Sequence, residues 1–274
     1  MSAHQQFQVQ EVSPSYWRVT FSNGAINLID PDTIEQLAEL ITRIEQAPDL
    51  TAVVFRSANP DFFMAHWDML ADRSRVAAMK PAPSGLHPFA DNLHRLAMVP
   101  AVTISEIDGR ARGAGSEFVL ATDIRFAGPG AILGQFEVGI GSVPGGNPSG
   151  RLPRILGRGR ALEILLGADD FPADLAAAYG YVNRVVPQDD LDRFVDAFAR
   201  RVAGFDKVAV QETKALVDAV TEPPAQEAGA ALAAFFRTSG RPENAHRIKR
   251  LFDGGLQQPD GVELDLGREV GLPS

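Results

Sequence analysis

The sequence predicts an α/β fold that gives way to an all-helical C-terminal part. Three observations carry this expectation. Apolar runs without alternation, Thr51-Ala-Val-Val-Phe55 and Ala101-Val-Thr-Ile-Ser105, read as buried strands of the kind that parallel sheets use. Helical patterns stand between the strands, the clearest placing Ile34, Leu37, Ile41 and Ile44 on one face. From Leu191 onward strand patterns cease, and helices are expected near 190–203, 207–220, 225–238 and 242–254. The chain therefore divides into an α/β core, 1–190, and a helical region, 191–274, assigned to oligomerisation.

Taken in order, Phe7–Val12 and Tyr16–Phe21 alternate as two strands of a hairpin turning at Ser13-Pro14-Ser15. Asp30-Pro31-Asp32-Thr33 is a helix start with a cap residue and a proline at the first position. That helix ends near Ala47-Pro48. The loop Asn59–Trp67 enters a helix near Asp68, and 71–85 is a polar, proline-bearing surface excursion. Phe89, Leu93 and Leu96-Ala97 mark a helix closed at Pro100. A short strand covers Asp123–Ala127. Glycines cap two short helices, Arg151–Gly157 and Ala161–Gly167. Ala173–Tyr179 is a further helix and Val182–Val186 a last strand. The tail from Gln257 is polar and glycine-bearing and is expected to be loosely held. No exact repeat is present, but a rhythm of two strands and a helix recurs across 7–47, 51–98 and 101–121.

Composition excludes several classes of function. The chain has 274 residues, 45% hydrophobic and 22% charged, with net charge −9. No basic stripe is present, so nucleic acid is not an expected partner. The absence of cysteine excludes disulfides, thiol nucleophiles and thiolate metal sites. Residues 1–6 show no secretory pattern and no apolar run approaches a membrane span, so a soluble, cytoplasmic protein is expected. His87 and His94 stand seven apart with no zinc-type pattern, and no metal site is assigned. Neither a phosphate-binding loop nor a dinucleotide fingerprint occurs, and Gly146-Asn-Pro-Ser-Gly150 lacks the central serine of a nucleophile elbow. The Phe235-Phe236 pair reads as core or subunit contact rather than a ligand site.

The chemistry-bearing stretch is Ile107–Ala127. A strand turns through Gly109, Gly113 and Gly115 into a short apolar helix near Ser116–Ala121. Free N–H groups at a helix start, with the positive end of its dipole, suit an anion. Ala114 sits at that start, and Glu117 lies one turn on. A donor and a carboxylate facing one point can stabilise an oxyanion and move a proton. Glu137, in a second glycine-rich stretch with Phe136, Val138 and Ile140, is costly to bury unless its pKa rises or it finds a partner.

Gly109-x-Ala111-x-Gly113-Ala114-Gly115-x-Glu117, followed by Asp123, resembles the signature of the crotonase (enoyl-CoA hydratase/isomerase) superfamily. Gly134-Gln-Phe-Glu137 with Gly141-x-Val-Pro-Gly145 and Arg151-Leu152 is similar to its second signature. Asn27, Phe63-x-Ala65-x-x-Asp68 and Gly180-x-Val-Asn-Arg-Val-Val186 match further landmarks, so the likeness spans about residues 6–255. It implies a spiral of ββα units with C-terminal helices that pack trimers or hexamers. It also implies an acyl-CoA thioester held by the backbone N–H groups of Trp67 and Ala114, with Glu117 and Glu137 flanking a water. Ala25, Ile26, Ala65, His66, Asp68, Met69, Leu70, Gly113 and Gly145 fall at substrate-binding positions. No cofactor is implied beyond coenzyme A carried by the substrate.

Two features depart from the family pattern. His66-Trp67 stands where small residues are usual, which restricts positive φ at His66 and adds bulk. Either the pair reshapes the acyl pocket or it packs outward against a helix. Asn147-Pro-Ser-Gly150 replaces a more glycine-rich loop and is expected to shift the acyl pocket. The expected activity is hydration of an α,β-unsaturated acyl-CoA. The alternatives are an isomerase, a hydrolase or decarboxylase on another enolate-forming substrate, and a catalytically silent binding subunit.

Overall fold

A computed structural model describes residues 4–273; Met1-Ser2-Ala3, part of the stretch read for a secretory pattern, lies outside the described residues. Among the described residues there are ten strands: β1 (Phe7–Ser13), β2 (Tyr16–Phe21), β3 (Ala52–Ser57), β4 (Phe62–Met64), β5 (Val102–Ile107), β6 (Arg110–Arg112), β7 (Ile124–Ala127), β8 (Ile132–Gly134), β9 (Asp170–Pro172) and β10 (Arg184–Val185). They form two sheets, β1-β2-β3-β5-β7-β10 and β4-β6-β8-β9. The pairs β3/β4, β5/β6 and β7/β8 each send the first strand to the large sheet and the second to the small one. The loose rhythm in the sequence is thus a spiral in which, after the β1–β2 hairpin has added both its strands to the large sheet, each of these three turns adds one strand to each sheet.

The helices are α1 (Pro31–Gln46), α2 (Arg73–Ala77), α3 (Pro88–Met98), α4 (Ala114–Leu120), α5 (Pro148–Leu156), α6 (Arg158–Gly167), α7 (Ala173–Tyr179), α8 (Leu191–Ala203), α9 (Lys207–Thr221), α10 (Ala225–Ser239), α11 (Pro242–Asp253) and α12 (Leu266–Gly271). α1 starts as its sequence demands: Asp30 accepts from Thr33 N–H, Thr33 returns a bond to the Asp30 N–H, and Pro31 opens the first turn. None of these helices is long and apolar enough to cross a membrane, among the described residues.

The unbroken apolar character of β3 has a two-sided cause. Val53 and Phe55 pack into the main core with α1 and α3, while Ala52 and Val54 pack with Val195, Ala199 and Val202 of α8. A parallel strand covered on both faces has no polar side to show. The helical region is thereby joined to the α/β core. α9 is tied down as well, because Lys214 Nζ lies 2.6 Å from Asp123.

Two expectations fail here. No helix begins at Asp68, which instead caps a turn by accepting the Leu70 N–H; Asp72 is the cap of α2. The tail from Gln257 is not loose. A 3₁₀ turn (Gly261–Asp265) and α12 bury Val262, Leu266 and Val270 against Phe136, Ile140, Leu251 and Leu256. Their spacing of four residues puts all three on one face, a pattern that the polar residues between them hide.

Candidate active site

The site grows from two neighbouring strands of the small sheet. β4 and β6 run parallel, with Met64 opposite Ala111, and the pairing continues in the bond from Arg112 N–H to the Ala65 carbonyl at 3.1 Å. Past β4 the chain forms a one-residue bridge with Ile29. Ile29 N–H donates to the His66 carbonyl and Asp68 N–H to the Ile29 carbonyl, both at 2.8 Å. Alternation along the strand turns the intervening Trp67 N–H to the opposite side. Past β6 the chain turns at Gly113, φ +48°, into α4, whose first N–H belongs to Ala114. Neither the Trp67 nor the Ala114 N–H has an acceptor among the described residues, and both residues line one cleft. His66 needs no positive φ, so glycine is not required there.

Glu117 and Glu137 open into the same cleft. Glu117 follows Ala114 by one helical turn and accepts the Gly146 N–H at 2.7 Å. A Cβ at Gly146 would collide with Glu117 Oε2, so only glycine permits this approach. Burial pushes the Glu117 carboxyl up from 4.5 to about 7, against the pull of the Gly146 N–H and the Arg151 charge. That difference corresponds to roughly 3 kcal/mol against the anion, even with the Gly146 bond in place. Arg151 itself is buried and donates to the carbonyls of Gly146 and Leu93 at 3.3 and 3.2 Å and to Glu222.

Glu137 opens a short 3₁₀ turn, Glu137–Ile140, and is also buried. Its Oε1 would meet a Cβ on Gly113 at 2.6 Å, so the carboxylate packs directly on the turn that aims Ala114. Its Oε2 has no hydrogen-bond partner. Burial, and then the charge of Glu117, push its pKa well above the ordinary value. Of the two escapes open to a buried Glu137, a raised pKa or a partner, the structure takes the first.

The rest of the cleft is apolar, and much of it comes from the helical region. Leu232, Phe235 and Phe236 of α10 and Ile248 of α11 face Trp67, Phe89 and Phe136. Phe235 and Phe236 therefore line the cleft, and Phe235 also packs on the small core cluster of Ala90, Ala228 and Leu232, as its reading as core expects. The helical period shows that Leu232, Phe235 and Phe236 share a face, but only the packing of α10 on α3 shows what that face meets. Val76 of α2 also reaches the cleft from the excursion, as does His87, the cap of α3.

The expected substrate-binding positions divide. Trp67, Met69, Ala114 and Gly145 are on the wall with both glutamates. Ala25 and Leu70 are exposed, the latter 72%. Ile26, Ala65 and His66 are buried behind the wall, where their side chains cannot touch a ligand; Ile26 and Ala65 pack with Phe62. Asp68 and Gly113 shape the loops without lining the cleft. His66 and Trp67 part company. Trp67 turns inward, edge-on to Phe89 with ring centroids 6.4 Å apart, while His66 is directed away from the cleft onto Glu263. Asn147 takes a left-handed φ of +67° and none of 147–150 lines the cleft, so any influence of that loop passes through Gly146.

Two free N–H groups and two buried carboxylates around an apolar cleft define a site suited to an enolate. The model of a family described as enoyl-CoA hydratase/isomerase matches residues 12–247. Among solved structures, a Streptomyces avermitilis protein provisionally described as an enoyl-CoA hydratase is 38% identical, with TM-score 0.93 over 100% of this chain and 99% of that one. Pseudomonas aeruginosa DspI is 26% identical (TM-score 0.73, covering 92% and 98%). An enoyl-CoA hydratase from Bacillus anthracis is 25% identical (TM-score 0.71, covering 90% and 97%). The chain belongs to the enoyl-CoA hydratase/isomerase family, the crotonase superfamily.

Proposed function

We propose that this protein is an enoyl-CoA hydratase-type lyase. The observation that carries the reading is the meeting of two buried carboxylates with two unpaired backbone N–H groups on one apolar cleft. The thioester oxygen would sit between the Trp67 and Ala114 N–H groups. Glu117 accepts the Gly146 N–H and feels the Arg151 charge, while Glu137 Oε2 has no partner, which suits Glu117 to be the ionised one. It takes a proton from water as the water oxygen bonds to Cβ. The π electrons move toward the thioester carbonyl, and the enolate oxygen is held by the two donors. Glu137, kept protonated by burial and by the charge of Glu117, delivers its proton to Cα. Two close carboxylates with separated protonation states supply both halves of the addition. The reaction invokes no cofactor beyond the coenzyme A of the substrate.

The test is loss of conjugated enoyl absorbance with crotonyl-CoA, for the wild type and for Glu117→Gln and Glu137→Gln. Hydration in the wild type and a loss of at least ~10² in each variant are expected. Unchanged turnover in both variants overturns the reading. Double-bond migration in a 3-enoyl thioester without hydration would assign an isomerase instead. The proposal extends to a homotrimer or hexamer, supported by Leu216 and Val220 of α9, which are 72% and 79% exposed. Sedimentation at the mass of a single chain removes that extension.

A further inference from the structure

The C-terminal segment 257–263 reaches beneath both arms that present the free N–H groups. His66 and Glu263 are each 0% exposed, with Nε2 of His66 2.7 Å from Oε1 of Glu263. Nδ1 of His66 lies 2.7 Å from the Trp67 carbonyl oxygen. A carbonyl only accepts, so Nδ1 carries a proton. Glu263 Oε1 also accepts the Gln257 N–H at 2.8 Å. Burial works to raise the Glu263 carboxyl, but the charge and bond of His66, the Gln257 N–H and the Arg112 charge hold it below its ordinary value. His66 is thus hydrogen-bonded at both ring nitrogens and buried, one residue before Trp67.

The backbone of the same residue makes the second link. The Glu263 carbonyl accepts from Nη1 of Arg112 at 2.7 Å, and Arg112 stands two residues before Ala114. The Arg112 side chain is fully buried, and Asp170 holds its Nε and Nη2 at 2.6 Å each. Gln257 adds a third link: its Oε1 accepts the Met69 N–H and its Nε2 donates to Asp68, both at 2.7 Å. A buried ion pair is often no more stabilising than apolar residues of the same volume. Stability alone therefore does not account for one placed under these two arms.

We propose that Glu263 is a positioning residue for the oxyanion site. Through His66 and Arg112 it sets the spacing and tilt of the Trp67 and Ala114 N–H donors. This inference rests on the reading of those N–H groups as the oxyanion site. The geometry is sensitive: a misplacement near 1 Å at a reacting centre can cost ~10² in rate.

The experiment compares Glu263→Gln, the double variant His66→Gln/Glu263→Gln and Gln257→Ala with the wild type. The double variant replaces both members of the His66–Glu263 pair with neutral amides, so neither is left without its partner, and it keeps the test open if Glu263→Gln alone fails to fold; Gln257 is only half-buried, so Gln257→Ala serves if both fail. Two readouts are taken: kcat and KM with crotonyl-CoA, and the infrared carbonyl stretch of bound carbonyl-13C crotonyl-CoA in a Glu137→Gln background. The expected result is a kcat lower by roughly 10- to 100-fold, short of the ~10²–10³ for outright loss of a donor. KM should change by less than about threefold, as for an interaction made only in the transition state. The low-frequency shift of the bound carbonyl should shrink in step, with Gln257→Ala the mildest. A folded double variant with wild-type kcat and carbonyl shift overturns the positioning role, and a change confined to KM does the same. If the carbonyl shows no shift without these substitutions, the oxyanion reading itself falls, and the role of Glu263 with it.

Discussion

The arm that ends at Ala114 and the arm that ends at Trp67 present the same group, a backbone N–H, but they are held by different kinds of contact. The Ala114 arm is local. Strand, glycine turn and helix follow within Arg110–Leu120, and the carboxylate one turn later is part of the same segment. The Trp67 arm has no such grammar. Its direction comes from the bridge to Ile29, and its underside from Glu263 and Gln257, nearly two hundred residues away. The first arm takes its shape from chain stereochemistry and is only steadied from afar, through Arg112 on Glu263 and Asp170, whereas the second is a product of assembly. A backbone donor needs only a direction, and either route supplies one.

The largest effect should come from breaking the local arm. Gly113→Ala places a Cβ 2.6 Å from Glu137 Oε1 at φ +48°, so both Ala114 and Glu137 must move. We expect kcat/KM for crotonyl-CoA to fall about 10²–10³-fold, the scale of losing one oxyanion donor, with helical content by circular dichroism retained. A loss below tenfold would show that the turn tolerates a side chain and that the local arm is less constrained than its glycine suggests.

The pH dependence sharpens the comparison, because both carboxylates meet at the local arm. Activity should rise as Glu117 ionises at about 7, and fall at higher pH as Glu137 gives up its proton. The two apparent values belong to the coupled pair. In Glu117→Gln the rising limb near 7 should disappear from the kcat/KM profile; its persistence would move the base elsewhere.

Stability carries the same signature with a smaller amplitude. Both folded-state carboxyls lie above their unfolded values, so the native state holds more protons than the unfolded chain from about pH 4.5 upward. Stability therefore falls as pH rises through that window. Glu137→Gln should gain on the wild type between pH 5 and 8 in denaturant titrations; a difference that does not vary with pH would deny the raised pKa.

The smallest effect on kcat should come from the long-range arm's most conspicuous residue. In Trp67→Ala the N–H remains, so kcat with crotonyl-CoA should stay within about threefold of wild type. The change should appear in KM for acyl chains long enough to reach Phe89, as loss of uniform binding does. A kcat loss of 10² would mean that the indole, and not the bridge to Ile29, aims the donor.

What was readable in the chain follows the same division. Glu117, Glu137 and Ala114 are marked by glycines that have few other reasons to stand where they do. The large sheet and nearly every helix are marked by apolar period. For Phe235 and Phe236 the reading as core is incomplete: a helical stripe shows that a face is covered but not that it also walls a cleft. The tail was misread because the acidic and glycine residues between Val262, Leu266 and Val270 outweigh, by composition, three residues whose spacing puts them on one face.

The sequence by itself determined the large sheet and most of the helices, the family, and the groups whose partners lie within a turn or two: the cap at Asp30, the turn at Gly113, the carboxylate one turn beyond Ala114. Only the tertiary structure decided that Gly146 would hold Glu117, that α10 would wall the cleft, and that His66 would turn from the cleft onto Glu263. The physical reason is the range of the forces that choose each feature. Backbone sterics and capping act over a few residues and leave a local imprint on composition. Burial and ion pairing act between surfaces brought together by folding, and a sequence records those surfaces without recording which of them meet.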